Sequence, residues 1–230
     1  MSANDPAVEA DGDAPSRREL AVARSLDPAR VRAEKRVQRF LDAAVELMAG
    51  SDKEFTVQQV VEKSGQSLRS FYQYFAGKHE LLLALFEEAV RSSAEKVGAA
   101  IDGEDDPRER LHKFVVEYYR LCQPGPRKGR AAKDDPAPMA DFAQQLLTAH
   151  PKEASRAFAP IVGLLEEVLE QAAEAGVIRP DVNNRRIAGV VLQAIMFNAF
   201  SATISGAPLE DGDGAGEELW GLLLHGIATD

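Results

Sequence analysis

The chain has 230 residues, 37 acidic against 27 basic side chains for a formal net charge of −10, and a hydrophobic content of 45%, enough for a small domain plus a larger one, each with its own core. A single cysteine, Cys122, excludes an internal disulfide framework and suits a reducing compartment. No run approaches the roughly 18 consecutive apolar residues of a membrane span, and the acidic, Ala-rich start is not a secretory leader, so a cytoplasmic location is expected.

Residues 1–28 are rich in Ala, Asp and Pro with weak periodicity, which predicts a disordered arm. Its Arg17, Arg18 and Arg24 suit either a minor-groove or phosphate arm or a solvated linker. A helix is predicted from about Ala29 to Ala49, with Val37, Phe40, Leu41, Ala44, Val45 and Met48 on one stripe. Its opposite face carries Arg32, Lys35, Arg36 and Arg39, side chains suited to flanking a duplex.

The segment 55–86, FTVQQVVEKSGQSLRSFYQYFAGKHELLLALF, is the most informative. Thr56 is placed to cap a helix whose apolar stripe is Val57, Val60 and Val61. Gly65 ends it, because glycine tolerates the left-handed conformation of a helix C-terminus. Ser67 caps the next helix, Leu68 to about Phe75. Two short helices joined by so tight a turn have helix-turn-helix spacing. Phe71, Tyr74 and Phe75 should pin the second helix to the core, leaving Leu68, Arg69, Tyr72 and Gln73 on the other face. Arginine pairs with guanine and glutamine with adenine, while Tyr and Ser hydroxyls reach phosphates. Lys78 beside the N-terminus of a third helix makes a phosphate clamp. The competing reading is a small helical subdomain with core aromatics and merely solvated polar residues.

Charge is unevenly distributed. Residues 16–80 carry 12 Lys or Arg against 9 Asp or Glu, whereas residues 81–230 carry 15 against 24. The basic excess coincides with the motif, as phosphate contact requires, and the acidic remainder repels the body from a duplex.

Beyond the motif, His79 to about Ala100 predicts a long helix, and Pro107 opens another whose apolar face is Leu111, Phe114, Val115, Tyr118, Tyr119 and Cys122. Cys122 reads as a buried thiol. Residues 123–138, with four prolines, predict a mobile loop able to gate a pocket. Helices are then predicted at about 140–149 and 152–175, and a further one, capped by Asp181, to about Ser205. A Gly/Asp loop at 206–216 precedes a last helix at about 217–228. Segments 182–205 and 217–228 are apolar almost all round, more than one monomer can cover, which predicts a homodimer through both.

His79, His112, His150 and His225 are scattered without metal-ligand spacing, so no metal site is expected. No catalytic constellation, Gly-rich phosphate loop or nucleophile elbow stands out, so neither an enzyme nor a bound cofactor is expected.

The run T-V-x-x-V-x-x-x-S-G-x-S-x-x-S-F-Y-x-Y-F-x-x-K-x-x-L at residues 56–81 resembles the DNA-binding signature of TetR-family bacterial transcriptional regulators. Gln66, Arg69 and His79 depart from the usual small apolar residue, glycine and acid of that pattern. The resemblance implies an all-α chain: a three-helix helix-turn-helix domain at 29–78 and a larger helical ligand-binding and dimerisation domain at 79–230. It implies double-stranded operator DNA as a partner. Arg69 and Gln73 are then candidates for base edges and Leu68 for apolar base contact, with Thr56, Ser67, Ser70, Tyr72, Tyr74 and Lys78 at or near phosphates. A hydrophobic small-molecule effector would shift the dimer between half-site spacings. Phe114, Tyr118, Met139, Phe142, Phe158, Met196, Phe197 and Phe200 are candidates to line its pocket, although ordinary core packing accounts for most of them. The expected function is a ligand-released repressor. A helical module that no longer reads DNA, or an enzyme on this fold, are the alternatives.

Overall fold

The computed structural model describes residues 17–48, 55–123, 139–205 and 214–227, with the side chains at 17–27, 140–141, 199–205 and 226–227 outside the description. The described residues are all-α: α1 (Arg17–Met48), α2 (Val57–Ser64), α3 (Leu68–Tyr74), α4 (Lys78–Ile101), α5 (Pro107–Cys122), α6 (Ala140–Ala149), α7 (Pro151–Glu174), α8 (Asn184–Ser205) and α9 (Gly214–Ile227). The chain divides into two compact units, Met1–Arg39 and Phe40–Asp230, with the division inside α1.

In the first unit, α1 begins at Arg17 and not near Ala29, so part of the segment assigned by composition to an irregular arm is helical and passes through Pro28. Its sequence, RRELAVARSLD, consists mostly of good helix formers, and Pro28 removes one amide donor from the ladder. Arg32, Lys35, Arg36 and Arg39 are exposed, and Arg30 pairs with Glu34 one turn on, at 3.1 Å.

In the second unit, α4 packs on α7 and α5, α5 also contacts α8 and α9, and α6 lies on α7. The interior is continuous and apolar: Leu111 and Phe114 of α5, Ile161, Leu165 and Leu169 of α7, and Ile195 of α8 are fully buried. Asp106 caps α5, its carboxylate accepting from the Arg108 N–H at 2.8 Å ahead of Pro107. The Arg110 guanidinium donates to the carbonyls of Ile101 (3.1 Å) and Glu104 (3.3 Å), joining the C-terminal end of α4 to α5. Gly216 of α9 lies so near Tyr119 that a Cβ there would meet the ring at 3.4 Å.

The start of α8 corrects the sequence reading. Its capping side chain is Asn183, whose Oδ1 accepts from the Arg186 N–H at 2.9 Å, and not Asp181. Cys122 is half-buried at the end of α5. The predicted gating segment 123–138 lies outside the described residues apart from Gln123, as do residues 1–16 and positions 206–213 of the predicted 206–216 loop, whose last residues 214–216 already belong to α9.

Candidate nucleic-acid interface

Helix α2 is set by reciprocal capping. Thr56 Oγ1 accepts from the Gln59 N–H at 3.3 Å, and Gln59 Oε1 accepts from the Thr56 N–H at 2.8 Å, so two otherwise orphan donors are satisfied. At the other end Gly65 is left-handed (φ 64°) and the Gln66 N–H returns to the Val61 carbonyl at 3.2 Å, the turn that closes a helix through a glycine. Ser67 then caps α3 by accepting from the Ser70 N–H at 3.1 Å.

Helix α3 has only seven residues, too few to be stable in isolation. Its anchors are aromatic. Phe71 is buried against Phe40 of α1, edge-to-face at 5.4 Å, and Phe75 lies 6.2 Å from the same ring. Val60 and Val61 of α2 complete the buried side. With that face fixed, Leu68, Arg69, Tyr72 and Gln73 emerge together on the opposite side. Leu68 is 43% and Tyr72 57% exposed. Arg69 and Gln73 are exposed, with no hydrogen bond or ion pair to any described residue. A guanidinium and an amide held on a short, rigid helix face suit the edges of bases in a major groove.

The other predicted contacts divide. Thr56 and Ser67 are exposed next to the turn, although both hydroxyls already serve as caps. Tyr74 is half-buried. Lys78 opens α4 with its ammonium 4.4 Å from the Phe55 ring centroid, a cation–π contact that holds the charge beside the α4 N-terminus. Ser70 departs from expectation: its hydroxyl oxygen is shut off from solvent and has no hydrogen-bond partner among the described residues. It lies on the inner side of α3, where the protein itself covers it.

The candidate ligand residues separate in the same way. Phe142 and Phe158 both pack edge-to-face on Phe86 of α4, at 6.1 and 5.1 Å, with Met139 also buried. Phe114 and Tyr118 lie 6.1 Å apart on α5 with their ring planes tilted by 40°. Burial, with Cys122 beside it, holds the Tyr118 phenol well above its ordinary ionisation range. Met196 is half-buried, and the Phe200 side chain lies outside the described residues. Phe197 is 68% exposed and so does not belong to the interior group. It stands on an outward face of α8 with Arg186, Val190 and Gln193.

One cluster has no counterpart in the sequence reading. His79 in the first turn of α4, His150 at the α6–α7 junction and Glu153 in the first turn of α7 bring their ligand atoms within 4.8 Å of one another. The hydrogen bond from His79 holds the Glu153 carboxyl below its usual range. His150 and Glu153 have helical i,i+3 spacing, the only local signal; the approach of His79 is purely tertiary.

Residues 40–85, the end of α1 through the first turns of α4, match the family of bacterial regulatory proteins described as tetR family. The HTH-type transcriptional regulator BetI of Brucella anthropi is 28% identical over 89 residues, 38% of this chain and 46% of that protein, so the match spans about half the length of this relative. The fatty acid degradation regulator FadR of Bacillus halodurans has a similar fold, with a TM-score of 0.65 at 18% identity over 83% of this chain and 95% of that one. FadR of Bacillus subtilis, solved in complex with stearoyl-CoA, gives a TM-score of 0.65 at 18% identity over 83% and 98%. Among the described residues no helix is long and apolar enough to cross a membrane.

Proposed function

We propose, from the premise that this chain is a TetR-family transcriptional regulator, that it is a homodimeric repressor which leaves its operator when a hydrophobic small molecule binds the helical body. The observation that carries the DNA-binding part is the outer face of α3, where Arg69 and Gln73 stand exposed and unengaged between Leu68 and Tyr72. In this reading Arg69 and Gln73 take base edges, Leu68 and Tyr72 line the groove wall, and Thr56, Ser67, Tyr74 and Lys78 lie along the phosphates. The protein regulates and does not catalyse, and it works in the cytoplasm.

The dimer forms through α8 and α9, whose outward Val190, Phe197 and Leu222 are exposed in the single chain. A mate placed there covers all three. Recognition helices about 34–36 Å apart would then meet successive major grooves. The effector occupies the interior around Phe86, Met139, Phe142 and Phe158, beside α4. Helix α4 runs from the recognition module into the body, so a ligand that displaces it alters the spacing of the two recognition helices. The stearoyl-CoA complex of the Bacillus subtilis FadR supports a long apolar ligand for a body of this fold.

The test is fluorescence anisotropy of the full chain with DNA from upstream of its own gene, against a scrambled duplex at several salt concentrations. Operator binding should exceed scrambled binding by several kcal/mol. Arg69→Ala should cost about 1–3 kcal/mol on the operator and little on the scrambled duplex. Equal losses on both would remove Arg69 from base reading; equal wild-type binding to both would remove the operator.

A further inference from the structure

We infer that His79, His150 and Glu153 form a binding site for a divalent transition-metal ion of the zinc class, joining the first turn of α4 to the first turn of α7. The inference is independent of DNA reading, because it needs only these three side chains and their placement.

Two imidazoles and one carboxylate are the donor set that borderline ions such as Zn²⁺ favour over Mg²⁺ or Ca²⁺, which take oxygen shells. His79 Nε2 lies 2.7 Å from Glu153 Oε2, and His150 Nδ1 lies 3.8 Å from the same oxygen. The two imidazole rings face each other with centroids 4.5 Å apart and planes tilted by 40°. Metal–ligand bonds of about 2.1 Å place tetrahedral ligands roughly 3.4 Å apart, and the three donors, all within 4.8 Å of one another, need shifts of no more than about 1.5 Å to enclose an ion. The side chains are 41% (His79), 42% (His150) and 37% (Glu153) exposed, which leaves them free to close and leaves a side open for entry and for water as a fourth ligand.

The backbone supports convergence. The His150 N–H ends α6 by donating to the Leu146 carbonyl at 2.9 Å, and its own carbonyl accepts from the Ala154 N–H at 3.0 Å at the start of α7. His150 is therefore fixed at the corner, and Glu153 follows one turn on. The buried Phe142 ring lies 5.6 Å from the His79 ring and walls one side.

The contrasting case is His112. Its Nδ1 faces Glu109 at 3.5 Å while its Nε2 faces Glu217 at 2.8 Å. Those partners sit on opposite sides of one ring, and a single ion cannot collect all three. At His79 the donors converge. The competing reading is an ordinary cluster in which Glu153 is shared between His79 at 2.7 Å and His150 at 3.8 Å, and the metal titration of the variants separates the two. When the ion enters, any proton carried by a ligating atom is displaced to solvent.

The experiment is a titration of the untagged, chelator-stripped full chain with Zn²⁺ by isothermal calorimetry, with Co²⁺ as a visible-spectrum probe. We expect one ion bound at this site and a Co²⁺ spectrum unlike that of the hexa-aqua ion. His79→Ala, His150→Ala and Glu153→Gln should each weaken binding at least tenfold, with His112→Ala unchanged. His150→Ala is decisive, because it removes a ligand and leaves the His79–Glu153 pair intact. Should His79→Ala lose helical circular dichroism, the near-isosteric Glu153→Gln carries the same test. Affinity unchanged in His150→Ala and Glu153→Gln, or an unaltered aqua-ion spectrum, would overturn the site.

Discussion

Replacing Ser70 by alanine should make the DNA-free protein more stable while leaving DNA binding intact. The Ser70 hydroxyl oxygen is closed off from solvent and unpaired among the described residues. Leaving such a group unsatisfied costs about 1–3 kcal/mol, a cost the substitution removes. Two smaller effects accompany it. Alanine is the better helix former by up to about half a kcal/mol. Against this, the void left by one oxygen, on the order of 10–15 Å³ at about 24 cal/mol per Å³, costs roughly 0.3 kcal/mol. The net expectation is a gain of about 1–3 kcal/mol. The Ser67 cap is unaffected, because it is the backbone N–H of residue 70 that donates to Ser67 Oγ. Helix α3 need not unfold together with the body, so the reading should be local: amide exchange of α3 alongside a urea melt followed by circular dichroism. Slower exchange in α3 with operator affinity unchanged is the expected result. A loss of affinity spread evenly over operator and scrambled DNA, with a salt slope lower by about one, would mean that Ser70 reaches a phosphate and that its burial is given up on binding.

Three further outcomes follow from the same packing. Lys78→Ala should weaken binding evenly across sequences and lower the salt slope by about one, and should also lose the cation–π contact with Phe55, worth about 0.5–1 kcal/mol at an accessible site; salt-dependent anisotropy and a urea melt read the two effects separately. Phe197→Glu places a charge on a side chain 68% exposed in the single chain, so monomer stability should change by less than about 0.5 kcal/mol while sedimentation shows the dimer lost. An unchanged sedimentation coefficient would reject the α8 interface. For Tyr118, burial holds the folded phenol above its ordinary range, so above about pH 10 the unfolded chain loses a proton that the folded chain keeps. Stability should therefore fall as pH rises there, by up to about 1.4 kcal/mol per pH unit from this group, and Tyr118→Phe should flatten that slope in urea melts between about pH 9 and 11.

Legibility followed the range of the interaction. The caps at Thr56 and Ser67 and the left-handed Gly65 act over three or four residues, so residue type and spacing were sufficient to place them. The outward Leu68, Arg69, Tyr72 and Gln73 came with them, since two buried phenylalanines determine the opposite face. The start of α1 was obscured because Pro28 and acidic composition suggest irregular chain, whereas the intervening residues individually favour helix. Asn183 and Asp181 both flank α8 and both can cap, and only the hydrogen bond decides between them. Helix α8 is apolar on too many sides for periodicity to tell its inner face from its outer one, so the sequence pattern alone groups the exposed Phe197 with the interior. The meeting of His79 with Glu153 spans 74 positions, and one sequence carries no signal for a contact between half-exposed side chains that far apart.

The shortness of α3 explains why the residues proposed to face DNA depend for their placement on side chains buried inside the protein. A seven-residue helix cannot repay the cost of its own nucleation. Its orientation therefore comes from tertiary burial, and Phe71 supplies most of it, fully buried against Phe40 and within 5.4 Å of Phe75. Burying a phenylalanine contributes about 1.5–3 kcal/mol, and the edge-to-face pair with Phe40 adds about 0.5–1.5 kcal/mol, together more than the roughly 1 kcal/mol of a typical cap. Because Arg69 and Gln73 flank Phe71 two residues to either side, the rotation of that one ring position about the helix axis fixes where both polar groups point. A base-edge hydrogen bond tolerates only a few tenths of an ångström and some tens of degrees. In the proposed interface the precision of readout would be set by the aromatic anchors, and the exposed face is left open to vary in sequence without loss of the fold.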